Sequence, residues 1–314
     1  MVIASLGELL VEFVAEARDT RHLAATNYVG PFASGAPAIF INQAARLGAK
    51  TAFAGAVGRD AFGTVILERL KRVGVDLALV RRVERPTGTA FVAYDGAGGR
   101  EFVFNIAHSA AALLPETDAI AAGFSRAGVG VVHVSGSTLG DPQMRRTALN
   151  VCRAHKAGGG AISIDPNVRA ELVADTGYGR DLAELVGAAD YVLPSDADAE
   201  MLFEGEDFET YAGRLIAGGA RVVALKRGER GARGVTADGE SVDIEGHKVT
   251  VADPTGAGDC FCGTLVAALA GLGKGFGEAM LLANAAGALA VQKVGPMEGN
   301  SDLPTLMRFL EGRG

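Results

Sequence analysis

The chain has 314 residues, 48% of them hydrophobic, with 44 glycines, no tryptophan and a formal net charge of −7. That length and hydrophobicity suit one large α/β domain and speak against a disordered chain. An acidic balance with interleaved signs speaks against a nucleic-acid partner, which needs a basic face; a small anionic ligand needs only a few local donors and stays open.

In chain order, "MVIASLGELLVEF" (1–13) lacks a basic leader and its apolar run is broken by acids, so it reads as a first strand and not a signal peptide. Residues from about 10 to 33 hold a short extended piece with polar interruptions. "TGTAFVAYDGAGGREFVFN" (87–105) alternates with period two around a glycine-rich turn, which predicts a β-hairpin. Neither fits a helix–strand rhythm. Together they predict a small sheet projecting as a lid, with strands within about 10–33 and 87–106.

From Val129 to Lys226 the pattern alternates. "VGVVHVS", "AISIDPN", "DYVLPS" and "ARVVALKRG" read as buried strands. "DPQMRRTALNVCRAHKAG", "GRDLAELVGAA" and "DADAEMLFEG" read as helices. Such alternation predicts a parallel sheet covered on both faces. Further on, "HKVTV" is strand-like, and "AGDCFCGTLVAALAGLG" is apolar nearly all round, which predicts a buried helix. "FGEAMLLANAAGALAVQKVG" predicts a second helix with small residues for close packing. No repeat or linker divides residues 1–314, so the chain reads as one domain. No apolar run reaches membrane-spanning length, so no membrane partner is expected. Three sparse cysteines, Cys152, Cys260 and Cys262, imply a reducing, cytoplasmic compartment and buried thiols in place of a zinc site.

Common nucleotide and metal signatures are missing. There is no G-x-x-x-x-G-K-[ST], no G-x-G-x-x-G after the first strand and no H-E-x-x-H. His133, inside a strand, reads as a core residue. The informative stretch is "VADPTGAGDCF" (251–261). It lies between a strand-like and a helical segment, so it predicts a strand-to-helix turn capped by Thr255 or a neighbour. Gly256, Ala257 and Gly258 then offer bare amides at a helix start, which is an anion pocket. Asp259 in that first turn is either a plain partner of the helix dipole or a general base beside a transferring phosphoryl group.

"DPTGAGDCF" resembles the D-T-x-G-A-G-D signature of the ribokinase-like sugar kinases, also called the phosphofructokinase B family. "GPFASGAPAIFINQAARLG" followed by "AFAGAVGRDAFG" is similar to that family's second signature. The resemblance covers essentially the whole chain. It implies a Rossmann-like αβα sandwich with a mostly parallel central sheet and a small protruding β-sheet lid. It also implies ATP and Mg²⁺ as cofactors. Asp259 matches the catalytic base, and Gly256, Ala257 and Gly258 match the hole for the γ-phosphate. Ser195 and Asp198 stand where the family's N-x-x-E orders Mg²⁺ through water. Lys226, Gly228 and Gly231 match the nucleotide loop; Lys226 reaches a phosphate or nucleotide oxygen, or is a solvated strand-end lysine. Asn284 lines the adenine pocket or makes a helix-packing hydrogen bond. Asp253 and Thr255 match positions that bind a monovalent cation such as K⁺ in some members.

For the sugar, Glu12 matches an acidic position of fructokinase-like members, its plain alternative being an exposed strand residue. Gly35 allows close backbone approach. The signature asparagine is replaced by Ile39, with Asn42 one turn later as a substitute. Asn105 reaches from the lid, and Arg169 in "DPNVR" pairs with a phosphate or sugar carboxylate. The variant signatures are most similar to tagatose-kinase-like and fructokinase-like members, which implies transfer to a primary hydroxyl of a ketohexose. A 2-keto-3-deoxygluconate kinase comes next, then a nucleoside kinase with Phe102 and Phe104 as a base clamp. A catalytically silent sugar-binding regulator is the reading from another class. The exposed lid sheet makes a homodimer plausible.

Overall fold

The first apolar run does not form one strand. It divides at Gly7–Leu9 into two strands that join different sheets, because the chain leaves the main sheet there. The computed structural model describes residues 1–17, 21–95, 99–168 and 177–312. Among these, the strands are β1 (Val2–Leu6), β2 (Leu10–Ala15), β3 (Tyr28–Ser34), β4 (Lys50–Gly58), β5 (Asp76–Val83), β6 (Gly88–Tyr94), β7 (Arg100–Asn105), β8 (Val129–Ser135), β9 (Ala161–Asp165), β10 (Tyr191–Val192), β11 (Val222–Lys226), β12 (Ala232–Thr236) and β13 (Ser241–Ile244). The helices are α1 (Ala36–Arg46), α2 (Ala61–Arg72), α3 (Thr117–Ala127), α4 (Pro142–Ala157), α5 (Gly177–Ala188), α6 (Asp196–Phe203), α7 (Phe208–Ala217), α8 (Ala257–Val266), α9 (Phe276–Ala290) and α10 (Leu303–Leu310).

Among the described residues the main sheet runs β13-β12-β11-β10-β9-β8-β1-β4-β5. Its pairs are parallel from β5 to β11, and β12 and β13 add an antiparallel edge. Every residue of β9 is buried, as both faces of a parallel sheet covered by helices require. One face packs Phe40, Phe53, Leu265 and Met280 beneath α1, α8 and α9. The other packs Phe124, Leu149, Ile162 and Leu182 beneath α3, α4 and α5. Burial of each such side chain stabilises by about 1.5–3 kcal/mol. Helix starts follow local chemistry: the Asp141 carboxylate accepts from the amides of Gln143 and Met144, and Asp207 from Thr210.

The small sheet runs β3-β2-β6-β7. Cross-strand register sorts its side chains between two faces. Glu12 pairs with Ala90, Ala90 with Phe104 and Tyr94 with Arg100, so Glu12, Tyr94, Arg100, Phe102 and Phe104 share one face. Val11, Thr89 and Asn105 lie on the other, where Phe13 meets Phe62 of α2.

One sequence expectation changes. "HKVTV" is no strand: β13 ends at Ile244, and residues 245–256 run irregularly, with the amides of Ala252 and Asp253 held by the Val291 carbonyl. The helix after it takes Gly256, the neighbour of Thr255, as its N-cap, with no side-chain cap. Its apolar run ends in a π-helical turn at Ala267–Gly271. Among the described residues no helix is long and apolar enough to cross a membrane.

Candidate active site

The C-terminal edges of β9 and β11, the start of α8 and one face of the small sheet converge on the turn at residues 253–259. Gly256 has φ 82° and ψ −6°, a left-handed conformation, and an added Cβ would lie 2.4 Å from the Pro296 carbonyl oxygen. Only glycine meets both demands. No side chain caps this helix, so its first amides are left for an anion, as the bare turn predicts. Ala257, Gly258 and Asp259 are half-buried in its first turn.

Asp253, which opens the turn, is 1% exposed. One of its oxygens accepts from the Tyr94 hydroxyl at 2.7 Å and the Thr255 amide at 2.9 Å; the other accepts from the Gly295 amide at 2.9 Å. The guanidinium of Arg100 reaches the Thr255 hydroxyl at 3.4 Å. Thus the small sheet is bonded directly to the turn. Tyr94 and Arg100 were not singled out by the sequence reading, although their period-two placement beside the hairpin turn puts both on one face.

Glu12 is buried at 3% exposure, contrary to the plain alternative of an exposed strand residue. Its Oε2 accepts from Ser34 at 3.1 Å, while its Oε1 is buried without a partner. Burial, then the charges of Asp253 and Asp259, push its carboxyl up to about 8, against the pull of Arg100 and the Ser34 hydrogen bond. A buried acceptor left open beside Asp259 is what a sugar hydroxyl would satisfy.

Lys226 is not a solvated strand end. Its ammonium lies 2.5 Å from Asp165 and 3.4 Å from Cys262, and 3.5 Å from where a Cβ on Gly258 would stand. Burial pulls its pKa down, but Asp165, Cys262 and Asp198 outweigh that and hold the ammonium above its usual range. Asp165 Oδ1 remains buried and unpartnered. Asp165 sits in the "DPN" run at the end of β9, a signal present in the sequence but assigned there only to Arg169.

Asp198 and Ser195 form a capping box at α6: Asp198 accepts from the Ser195 amide and hydroxyl and, with its other oxygen, from the Val168 amide. Both oxygens of Asp198 therefore hold the loop, and Asp165 is the carboxylate with an open acceptor. Gly228 and Gly231 flank a short 3₁₀ turn after β11. Asn284 donates to the Glu245 carbonyl at 2.9 Å, which ties α9 to the segment after β13.

Two proposed sugar contacts face elsewhere. Asn42 is fully buried and receives the amide of Asn300, which also meets the Ile39 carbonyl, so it faces the α1 interior. Asn105 donates to Thr89 on the sheet face opposite Glu12. Gly35, at φ 113°, needs to be glycine because a Cβ would lie 2.4 Å from the Glu8 carbonyl oxygen, a contact within the protein. Arg169 lies outside the described residues. Glu8, also missed, is buried and takes the hydroxyls of Ser137 and Thr138, fixing the bend between β1 and β2. His133 is a core residue, stacked on Phe40, and all three cysteines are buried and free.

The pfkB family of carbohydrate kinases matches residues 2–303. A 2-dehydro-3-deoxygluconokinase of Bacillus subtilis is 33% identical over 276 residues, covering 86% of this chain and 83% of that protein. Fructokinase-2 of Zea mays is 31% identical over 315 residues, covering 97% and 92%. Among solved structures, an E. coli protein described as ribokinase II, in complex with ATP and Mg²⁺, superposes with a TM-score of 0.91 at 34% identity over 99% of both chains. A double-mutant fructokinase of Vibrio cholerae, holding fructose, ADP and a potassium ion, superposes with a TM-score of 0.82 at 26% identity over 98% of both. With its main sheet, small sheet and bare-amide turn in that arrangement, the chain belongs to the pfkB family of carbohydrate kinases and is an ATP-dependent sugar kinase.

Proposed function

We propose that this kinase transfers the γ-phosphoryl group of ATP to a primary hydroxyl of a ketohexose of the fructose or tagatose type. The observation that carries this reading is the open, buried acceptor of Glu12, held close enough to Asp259 for the two charges to interact. A sugar hydroxyl on Glu12 Oε1 orients the ring so that a second hydroxyl meets Asp259. Asp259 takes the proton of that hydroxyl as its oxygen attacks phosphorus. The amides of Gly256, Ala257 and Gly258 hold the charge on the moving phosphoryl group, and Lys226 adds a cation behind them. Mg²⁺ bound with ATP neutralises phosphate charge. Asp165, through its open oxygen, and Asp198 are the residues to hold its water shell. Ser195, Gly228, Gly231 and Asn284 border the nucleotide.

Two features separate this sugar from its rivals. The charges of Asp253 and Asp259 both act on Glu12, which disfavours the acidic sugar named for the Bacillus relative. Phe102 and Phe104 stack on each other at 5.3 Å, leaving no gap between them for a nucleoside base. A dimer through the small sheet belongs to the same reading, since β3 and β7 are its edges and expose Val29 and Val103. Light scattering would show a doubled mass.

The test is ADP release over fructose, tagatose, 2-keto-3-deoxygluconate, ribose and nucleosides. The expected result is the highest kcat/KM with a ketohexose. A signal confined to the acidic sugar or to nucleosides would overturn the assignment, and sugar binding without ADP release would favour a silent regulator.

A further inference from the structure

The monovalent-cation site implied by Asp253 and Thr255 does not fit the residues around it. A cation of that kind is held by a shell of oxygen acceptors. Asp253 meets donors instead: the Tyr94 hydroxyl, the Thr255 amide and the Gly295 amide fill three of its roughly four lone-pair directions. The Thr255 hydroxyl is met by the Arg100 guanidinium and also bonds to Tyr94. A fixed positive charge and three hydrogen-bond donors stand where oxygen ligands would have to converge.

The electrostatic need for a cation is nonetheless present. Glu12 feels both Asp253 and Asp259, so the charges of two carboxylates converge on its buried carboxyl near amides that must also attract phosphate. The positive group acting on both Glu12 and Tyr94 is Arg100. Arg100 stands on β7 directly across from Tyr94 on β6, and its guanidinium is steadied against the Phe102 ring at 5.6 Å.

We propose that Arg100, presented by the small sheet, supplies the positive charge that a monovalent cation supplies in other kinases of this architecture, so that this enzyme turns over without one. Tyr94 is its positioning partner, because it ties the same strand pair to Asp253. The counter-charge then sits on the sheet that covers the sugar and is not taken from solution. The inference rests on the sugar-kinase reading of the turn but not on which sugar is phosphorylated.

The experiment compares cations at fixed ionic strength. Wild type is assayed in tetramethylammonium chloride and in potassium chloride, with the best acceptor from the panel. The expected result is a kcat/KM that differs by less than about twofold. Arg100→Ala is expected to lose about tenfold or more in kcat without K⁺ and to recover most of it with K⁺; Arg100→Lys, which keeps the charge, should lose less than Arg100→Ala without K⁺ and gain less from adding it. Thermal unfolding without sugar or nucleotide gives a second readout: K⁺ should raise the Tm of Arg100→Ala and leave wild type unmoved. Saturable tenfold activation of wild type by K⁺ would overturn the proposal. So would an Arg100→Ala variant whose only change is a higher sugar KM, which would make Arg100 a substrate contact. A panel with no accepted sugar would sink the kinase assignment while leaving the Tm comparison to decide this one.

Discussion

The two sides of the active site are built on different principles. On one side, the turn before α8 presents backbone: a glycine in a left-handed conformation, uncapped amides and one carboxylate within a single helical turn. On the other, the small sheet presents side chains, Glu12, Tyr94 and Arg100, whose convergence depends on the register of three strands. A backbone site tolerates little change because its geometry is fixed by φ, ψ and close contacts. A side-chain site is free to vary from one sugar to another while the phosphate corner stays the same. Under the proposed reading, chemistry belongs to the turn and selectivity to the sheet, and substitutions on the two sides should fail in different ways.

The largest effect is expected on the turn. Asp259→Asn should keep ATP binding, measured by calorimetry, and lose about 10²–10⁴-fold in kcat, the usual worth of a general base. Wild-type-like turnover would remove Asp259 from the chemistry. Next comes the buried pair behind the amides. Lys226→Met leaves Asp165 uncompensated and should cost about 3–5 kcal/mol in denaturant unfolding. Combining it with Asp165→Leu should recover most of that loss; no recovery would mean that packing, not charge, holds the site.

A smaller, pH-dependent effect is expected on the sheet side. The Glu12 carboxyl is raised from an ordinary 4.5 to about 8 by burial and its acidic neighbours. The folded protein thus holds this proton more tightly than the unfolded chain. The stability it contributes is full below pH 4.5 and is lost as pH rises through about 8. Glu12→Gln should flatten this part of the Tm–pH curve. An unchanged curve would show that Glu12 does not titrate in that window. The smallest effect is expected at Asn105. Its side chain lies on the face away from Glu12, so Asn105→Ala should change sugar KM by less than about twofold. A tenfold rise would bring it back as a sugar contact.

The contrast also explains what the sequence discloses. The turn is local: seven consecutive residues contain its glycines and its acid, and the absence of large side chains is itself the signal. The hairpin was visible from its alternation and its glycine-rich bend. Placement on a sheet face was not, because it depends on which residue of β2 pairs with which of β6. That is why Asn105 was expected beside the sugar and Arg100 was passed over. Long-range partners were equally hidden. Lys226 meets Asp165, 61 residues away, and Asn42 meets Asn300, 258 residues away. "HKVTV" carries strand-forming residues, but among the described residues no strand pairs with it, so its propensity goes unused.

The most direct test of the central claim is a crystal structure of Asp259→Asn with ATP, Mg²⁺ and the best acceptor sugar. The account predicts the terminal phosphate within hydrogen-bonding distance of the amides of residues 256–258. It also predicts one sugar hydroxyl on Glu12 Oε1 and another next to the substituted side chain. Nucleotide and sugar bound elsewhere, with that turn left empty, would contradict it.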